Sequence, residues 1–177
     1  MSSRERALPW KKILKWSTAV LAAVLVLLLA GLLLVLLFRN DPLGPIPGQR
    51  LNGLEVVELI NDWSFTEEYP LLYIETRPAD PYSTTITFFS HQDDLYVVCV
   101  YADESRWGQY LLDTPGVRLK IAESVYPGQA FRIEDPIRID ELIDSYQGKY
   151  PGLLDSRTRE EVQNFWYFRI DSAGKAD

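Results

Sequence analysis

The sequence predicts an N-terminal transmembrane α-helix followed by a β-rich α+β domain, in which six antiparallel strands form a small barrel flanked by short helices. Three observations lead to this fold class. Residues 17–38 carry no charge and are almost wholly Leu, Val and Ala. Beyond them, short runs of apolar and β-branched residues alternate with turn-forming residues, as strands and their turns do. Helical spacing of apolar residues recurs only in short stretches between those runs.

Charge divides the chain into two parts. Of its 177 residues, 18 are Lys or Arg and 25 are Asp or Glu, for a net charge of -7. Residues 1–40 hold six basic side chains and one acid, so they carry +5 and the remainder carries -12. This acidic remainder argues against a nucleic-acid partner. A single Cys and a single His exclude a disulfide framework, a Cys-rich zinc site and a multi-His centre, so no metal site is predicted.

Residues 17–38 are predicted to be a membrane anchor. At about 1.5 Å per residue, their helix is roughly 33 Å long, enough to cross a hydrocarbon core of about 30 Å. Five Lys or Arg precede the span and only Arg39 follows it, so the positive-inside rule places residues 1–16 in the cytoplasm as a basic tail. A cleaved signal peptide is the competing interpretation, although its apolar core is usually about 7–15 residues.

The rest of the chain then lies outside the cytoplasm. We expect a single-pass inner-membrane protein that contacts the bilayer through residues 17–38, with an extracytoplasmic C-terminal domain. Residues 39–49 are predicted to be a short Pro-rich stalk, and residues 50–177 form the barrel domain, which is long enough for one core. After Asn52, four apolar residues recur at helical spacing and predict a helix: Val56, Leu59, Ile60 and Trp63. Asn52-Gly53 equally fits a hairpin turn.

The first strands surround a predicted hairpin. Strands are expected over residues 71–76, 83–89 and 95–101, with 90–94 as the loop that joins the last two. The run 95–101 is almost continuously apolar, which is typical of a strand buried on both faces. Trp107, Tyr110 and Leu111 then share one face of a short helix that Pro115 ends.

The second half supplies the remaining strands and two helices. Val117, Leu119 and Ile121 alternate with Arg118 and Lys120, as in a half-exposed strand. A turn is then expected at Pro127-Gly128, followed by a strand over 129–133. Asp135-Pro136 is expected to begin a helix whose apolar face consists of Ile139, Leu142, Ile143 and Tyr146. A shorter helix after Asp155-Ser156 and a strand over 165–170 complete the domain. Six antiparallel strands fit a closed or partly split barrel, or an open sandwich. Closure is favoured because it removes the edges of apolar strands.

A known family shares this arrangement. Tyr101 ends a strand, Trp107 opens a short helix, and Leu111-Leu112 and Pro115 lead into Val117 and Leu119. This pattern resembles the flavin-binding split β-barrel superfamily, which includes pyridoxamine-phosphate-oxidase-like proteins and the deazaflavin-dependent nitroreductase branch. The residues at 62–65, 75–77 and 81–83 look like a membrane-anchored bacterial branch of that fold. The resemblance covers roughly residues 55–172.

The resemblance implies a cofactor, either FMN or a deazaflavin, and a reductase or oxidase that transfers hydride between the ring and a small molecule or quinone. Many split barrels build this site across a two-fold interface, so a homodimer is implied. Catalytic side chains stay unknown, because the cofactor carries such chemistry. The implied phosphate-binding residues are Arg77, Ser83, Thr85 and Arg106, and those implied to line the ring are Thr76, Tyr101 and Trp107.

Each of these residues also has a structural interpretation. Arg77 and Arg106 would pair with neighbouring acids, and Trp107 would be a core residue; the chain would then be a cofactor-free envelope binding or accessory module with the same barrel. His91 is expected in a solvated loop, and Cys99 is expected to be buried and inert. Asp140, Glu141 and Asp144 fit the solvated face of a helix.

Overall fold

The computed structural model describes residues 10–38 and 40–173, and the chain divides into two units between residues 39 and 40. The first unit is one helix, α1 (Trp10–Phe38). Within it, the 22 residues Leu14–Val35 have a mean hydropathy of 3.0, and none of them is buried. By length and composition, α1 is therefore able to cross a membrane.

The second unit is a closed six-stranded antiparallel barrel, as the sequence predicts. The ring runs β2–β3–β4–β7–β6–β5 and closes because β5 pairs with β2, which rules out the open sandwich. A two-residue strand, β1 (Leu54–Glu55), adds to β6 in parallel. The ring strands are β2 (Leu72–Thr76), β3 (Tyr82–His91), β4 (Asp94–Cys99), β5 (Gly116–Ile121), β6 (Ser124–Ile133) and β7 (Trp166–Ser172).

Two tight turns set the register of neighbouring strands. Gln92 and Asp93 both have positive φ, 52° and 68°, and join His91 to Asp94. Positive φ at both central residues is the backbone that matches the twist of a hairpin. The turn between β5 and β6 is Ala122-Glu123, with Ala122 at φ 51°.

The predicted turn at Pro127-Gly128 is wrong, because both residues lie inside β6. Here β6 passes from one neighbour to the other: Gly128 is opposite Val117 of β5 and also opposite Ser172 of β7. A Cβ on Gly128 would stand 2.5 Å from the carbonyl oxygen of Asp171. The Pro-Gly pair therefore marks a strand corner where backbones approach closely, which is another use of glycine in strands.

The predicted helix over Val56, Leu59, Ile60 and Trp63 is also wrong. The structure describes all of residues 56–63 and places no helix there; a 3₁₀ helix follows at Ser64–Glu68. Ile60 instead pairs its backbone with the Ser172 hydroxyl, and Trp63 enters the barrel core at 2% exposure. Packing of Ile60 and Trp63 against the barrel outweighs the helical spacing, while Leu59 stays 45% exposed.

Helices cover the barrel at two places. The first is α2 (Arg106–Asp113), whose Trp107 and Leu111 join the barrel core. The second is α3 (Pro136–Lys149), which begins with Asp135 accepting a hydrogen bond from the Ile137 N–H, as predicted. Its apolar face packs on the outer side of β3, β4 and β7. A short helix, α4 (Arg159–Gln163), is capped by Thr158 and tied to α3 by Arg159, which pairs with Asp140 and Asp144.

Candidate functional site

The helix α2 closes one end of the barrel and sets the position of the candidate site. Trp107 is 8% exposed and lies 6.1 Å from Phe168 between ring centroids, so it packs as a core residue. Its neighbour Gly108 lies against Cys99, because a Cβ there would be 2.7 Å from the Cys99 Sγ. Burial raises the pKa of the Cys99 thiol, as expected for an inert buried cysteine. These contacts fix the start of α2 on the end of the strands.

Arg77 stands at this end of the barrel, directly after β2. Its backbone has a φ of 56°, a conformation that costs energy for a non-glycine residue and that often marks functional sites. The guanidinium carbon lies 4.5 Å from the centroid of the Tyr110 ring, and the side chain forms an ion pair with Asp80. Asp80 is 80% exposed, so its hold on Arg77 is screened by water.

Arg106 is close enough to the same aromatic pair for its charge to act on Tyr82. Tyr82 and Tyr110 meet edge to face at 5.6 Å. Burial raises the pKa of Tyr82, and the nearby positive charge of Arg106 opposes that rise. Arg106 itself is exposed at the first position of α2. One guanidinium group, that of Arg77, lies on the Tyr110 ring and the charge of a second, that of Arg106, acts on Tyr82; we call Arg77, Tyr82, Arg106 and Tyr110 the α2 corner.

The two predicted phosphate-binding hydroxyls, of Ser83 and Thr85, and the hydroxyl of Thr76, which was predicted to line the ring, all donate hydrogen bonds within the chain. Thr76 is fully buried, and its hydroxyl donates to the Tyr82 carbonyl at 3.3 Å. The Ser83 hydroxyl donates to the Asn40 carbonyl at 3.4 Å, and the Thr85 hydroxyl donates to the Gly44 carbonyl at 3.3 Å. Ser83 and Thr85 therefore lie on the outer side of β3 under the N-terminal part of this unit, and the structure does not bring them to the α2 corner.

Residues 40–51, which we call the strap, cover that outer side. Gly48 and Ser83 exchange two backbone hydrogen bonds, at 2.8 and 3.1 Å. The Asp41 carboxylate lies 2.5 Å from the Lys120 Nζ, and Leu51 donates its N–H to Glu75 at 2.7 Å. The segment that the sequence predicts as a stalk over 39–49 is thus in contact with the barrel from Asn40 onward.

An ion pair lies beneath the strap. Glu75 is 2% exposed and accepts a hydrogen bond of 2.6 Å from the Nη1 of Arg118. Arg118 also donates to the Leu51 carbonyl and lies 3.6 Å from Glu55. Beside it, a cavity of about 350 Å³ opens between the strap and strands β2, β3 and β5. The cavity is lined by Gly44, Leu71, Leu72, Tyr73, Thr85, Lys120 and Ala122.

Tyr101 lies apart from both the α2 corner and the strap-covered face. Its ring is 66% exposed and borders an open groove of about 310 Å³ between the end of β4 and α4. Arg157 lies in the same groove, with its guanidinium 5.2 Å from the centroid of Phe165. The seven residues proposed from the sequence are therefore distributed over the α2 corner, the strap-covered face, this groove and the core.

Two side chains at the α2 corner were not among the predicted site residues. Tyr110 was assigned only to the apolar face of its helix, and Tyr82 was named only within the 81–83 stretch of the family resemblance. The signal that could have found them is their position: Tyr82 follows Arg77 by five residues across a turn, and Tyr110 follows Arg106 by one helical turn. Residues one turn apart on a helix share a face.

Comparisons with known proteins bear on the fold. No protein-family model and no curated protein matches the chain. Among solved structures, a conserved hypothetical protein from Mycobacterium tuberculosis has a TM-score of 0.50 at 14% identity, and the match covers 67% of this chain and 84% of that one.

Two further solved structures have names that state an activity or a cofactor. A putative pyridoxamine 5'-phosphate oxidase from Listeria innocua has a TM-score of 0.48 at 14% identity and covers 62% of this chain and 88% of its own. An FAD- and heme-binding protein from Mycobacterium smegmatis has a TM-score of 0.46 at 17% identity and covers 60% and 62%. At such identities the likeness is one of fold. The chain is therefore a closed six-stranded antiparallel barrel with flanking helices, a fold similar to that of the Mycobacterium tuberculosis protein.

Proposed function

We propose that this protein is a membrane-anchored split-barrel protein that binds FMN or a deazaflavin through its phosphate at the α2 corner and acts as an oxidoreductase of small molecules or quinones. One observation carries the proposal. The Arg77 guanidinium lies on the Tyr110 ring and the charge of Arg106 acts on the adjoining Tyr82, on a domain that is otherwise strongly acidic. Arginines held beside aromatic rings are suited to a planar, anionic ligand.

The donor chemistry of the corner fits such a cofactor. A phosphate needs N–H donors with positive charge, and two guanidinium groups supply both. Arg106 is exposed, and the Asp80 partner of Arg77 is exposed enough to be displaced. Tyr82 and Tyr110 offer flat apolar walls for a ring. When bound, the cofactor would supply hydride transfer, while the chain supplies binding and orientation.

The same proposal includes a cellular location for the protein, which is argued from α1. The uncharged span 17–38, which overlaps the stretch Leu14–Val35 that is long and apolar enough to cross a membrane, anchors the protein in the inner membrane. Basic residues before the span outnumber those after it five to one, so the N-terminus is cytoplasmic and the barrel extracytoplasmic. A partner copy is part of the proposal: we expect a homodimer, which sedimentation at micromolar concentration tests.

A second candidate function is a cofactor-free envelope binding or accessory module. It is favoured by the hydroxyls of Thr76, Ser83 and Thr85, which already donate to carbonyls of the same chain. A preformed phosphate site usually keeps its donors available for the ligand. Of the four predicted phosphate-binding residues, only Arg77 and Arg106 have donors that a ligand could reach. The two functions differ in one observable, the binding of a flavin-type cofactor.

The test is a titration of the purified full chain, in detergent, with FMN and separately with a deazaflavin cofactor. The proposal expects a visible absorption band and saturable binding. Arg106→Ala should weaken binding about 10- to 150-fold, the loss of one charge-assisted contact of about 1.5–3 kcal/mol. Asp80→Asn should tighten binding, because it frees Arg77 from its counter-ion.

Arg157→Ala is the matched control, since it removes the same charge from the groove beside Phe165 instead. Wild-type affinity in Arg106→Ala would disprove the phosphate site. A wild-type chain that stays colourless and binds neither cofactor would establish the second candidate.

A further inference from the structure

The cavity between the strap and strands β2, β3 and β5 has a single charged residue in its wall. Its volume of about 350 Å³ is within the range of small-molecule sites. Among the described residues that line it, Lys120 alone is charged, and the Lys120 side chain is only 11% exposed. An ammonium group that is buried to this extent needs an anionic partner.

The Asp41 carboxylate of the strap supplies that partner. It accepts a hydrogen bond of 2.5 Å from the Lys120 Nζ, and the Asp41 side chain is 32% exposed. An ammonium group has three N–H donors. Within residues 10–38 and 40–173, this carboxylate is the one hydrogen-bond acceptor of Lys120, so two donors remain for another group.

The rest of the cavity wall is uncharged and largely apolar. Leu71 is 48% exposed directly before β2, Leu72 begins that strand, and Ala122 lies in the turn between β5 and β6. The Thr85 hydroxyl donates to the Gly44 carbonyl and so holds the strap over the cavity. One cation beside apolar walls suits a ligand that has a single negative charge and a short hydrocarbon part.

We infer that this cavity binds a small aliphatic carboxylate, whose carboxylate group replaces that of Asp41 on Lys120. The strap already presents this chemistry to the ammonium group. A phosphate dianion matches the cavity less well, because phosphate is held best by several donors that carry more than one positive charge. The hydrocarbon part of the ligand packs on the apolar wall, where each buried CH₂ adds to affinity. Asp41 is then a built-in competitor for the site.

This site is separate from the α2 corner. Leu72, at the start of β2, lines the cavity, whereas Thr76 ends the strand and Arg77 of the corner follows it. The four steps from Leu72 to Thr76 span about 13 Å in an extended strand. The inference therefore goes beyond the proposed cofactor function and holds whether or not a flavin binds.

The test is a calorimetric titration of the full chain, in detergent, with acetate, butyrate and hexanoate. Affinity should rise along this series by about fourfold per CH₂, because each buried CH₂ contributes about 0.8 kcal/mol. Hexanamide has nearly the same shape without the charge and should bind about tenfold more weakly, or worse. Leu71→Trp fills the cavity and keeps Lys120 and Asp41, so it should abolish the binding of hexanoate. Heat that persists in this variant would come from uptake into micelles and would count against the site.

A conservative variant tests the exchange of carboxylates. Asp41→Asn keeps an oxygen that can accept the Asn52 N–H, a bond of 3.1 Å, but it no longer offers Lys120 a negative charge. Hexanoate should then bind at least about fivefold more tightly, the factor that corresponds to a partly exposed ion pair of about 1 kcal/mol. Asp144→Asn is the matched control, because it removes the same charge from the pair with Arg159 and should leave the affinity unchanged.

Lys120→Met should abolish carboxylate binding in a chain that circular dichroism shows to be folded. Since that variant removes a buried charge, Asp41→Asn keeps the test decisive if Lys120→Met does not fold. The inference is overturned if hexanoate binds neither the wild type nor Asp41→Asn, or if hexanamide binds as tightly as hexanoate. Unchanged affinity in Asp41→Asn, or binding by folded Lys120→Met, would also overturn it.

Discussion

The barrel is covered on two sides by segments that use different physics. On one side, α3 places Leu142, Ile143 and Tyr146 on the outer face of β3, β4 and β7, and all three are almost fully buried. On the other, the strap lies over β2, β3 and β5 and is held by backbone carbonyls, by the Asp41–Lys120 pair and by contacts to Glu75 and Arg118.

The difference shows that the free energy of unfolding is spread over many contacts on the α3 side and concentrated in a few groups on the strap side. An apolar interface spreads its free energy over many small contacts, so one substitution removes a part of it. A buried ion pair concentrates the free energy of unfolding in two groups, because each partner is costly to bury alone. Three substitutions test this contrast, from the largest expected effect to the smallest.

Arg118→Met should have the largest effect, on the strap side. It leaves the Glu75 carboxylate, 2% exposed, with the Leu51 N–H as its remaining partner at 2.7 Å. We expect the free energy of unfolding to fall by about 3–5 kcal/mol in urea denaturation of the full chain. The double variant Glu75→Met/Arg118→Met should recover most of the loss. A single-variant loss below about 1 kcal/mol, the size expected of an exposed pair, would contradict this account.

Leu142→Ala should have a somewhat smaller effect, on the α3 side. Leu142 is fully buried between α3 and the barrel, so truncation leaves a cavity and lowers the free energy of unfolding by about 2–5 kcal/mol. Ile137→Ala, on the exposed face of the same helix, should change it by no more than about 0.5 kcal/mol. Equal losses in the two variants would mean that α3 is not fixed to the barrel by its apolar face.

His91 should give the smallest effect, at the edge of the α3 cover. Its Nδ1 lies 2.7 Å from the Ser145 hydroxyl, and its Nε2 lies 3.4 Å from Arg138. Burial lowers the pKa of His91, and Arg138 lowers it further, while Glu141 and Asp94 act in the opposite direction. Because a guanidinium only donates hydrogen bonds, the contact with Arg138 favours the neutral imidazole with Nε2 as the acceptor.

The sign of the pH effect follows from that lowered pKa. Below the unfolded pKa of about 6.5, the unfolded chain binds a proton at His91 that the folded chain resists. Stability should therefore fall as pH drops through this range. Thermal denaturation at pH 7.5 and pH 5.5 should show a smaller difference for His91→Gln than for the wild type. A pH dependence unchanged by the substitution would show that His91 does not contribute to it.

The fold was predictable where side chains carry the pattern. The strands over 71–76, 83–89, 95–101, 117–121 and 165–170 follow from alternation or apolar runs, and the α3 face follows from its helical spacing. The errors fall where tertiary contacts decide. Pro127-Gly128 has turn chemistry, yet it lies where β6 changes partners. The strap could not be predicted, because it is held largely through its own backbone carbonyl and N–H groups, which leave no mark in the residue pattern.

The candidate site was predictable only in its charges. Arg77 and Arg106 could be proposed from their places at strand and helix boundaries, and their role in cofactor binding stays a prediction. The aromatic pair between them is a product of folding: Tyr82 and Tyr110 are 28 residues apart and meet only because α2 returns to the end of β2 and β3. No local spacing encodes that contact.

Closure of the ring by its last strand has a consequence for how the protein is made. β7 pairs with β4 on one side and with β6 on the other, and it is formed by residues 166–172. During synthesis, β4 and β6 therefore stay as open edges until nearly the whole domain has emerged, and such edges are prone to pair with other chains. If α1 directs export, the barrel crosses the membrane unfolded and closes only on the far side. The rate of appearance of protease-resistant protein should then follow arrival of this final segment.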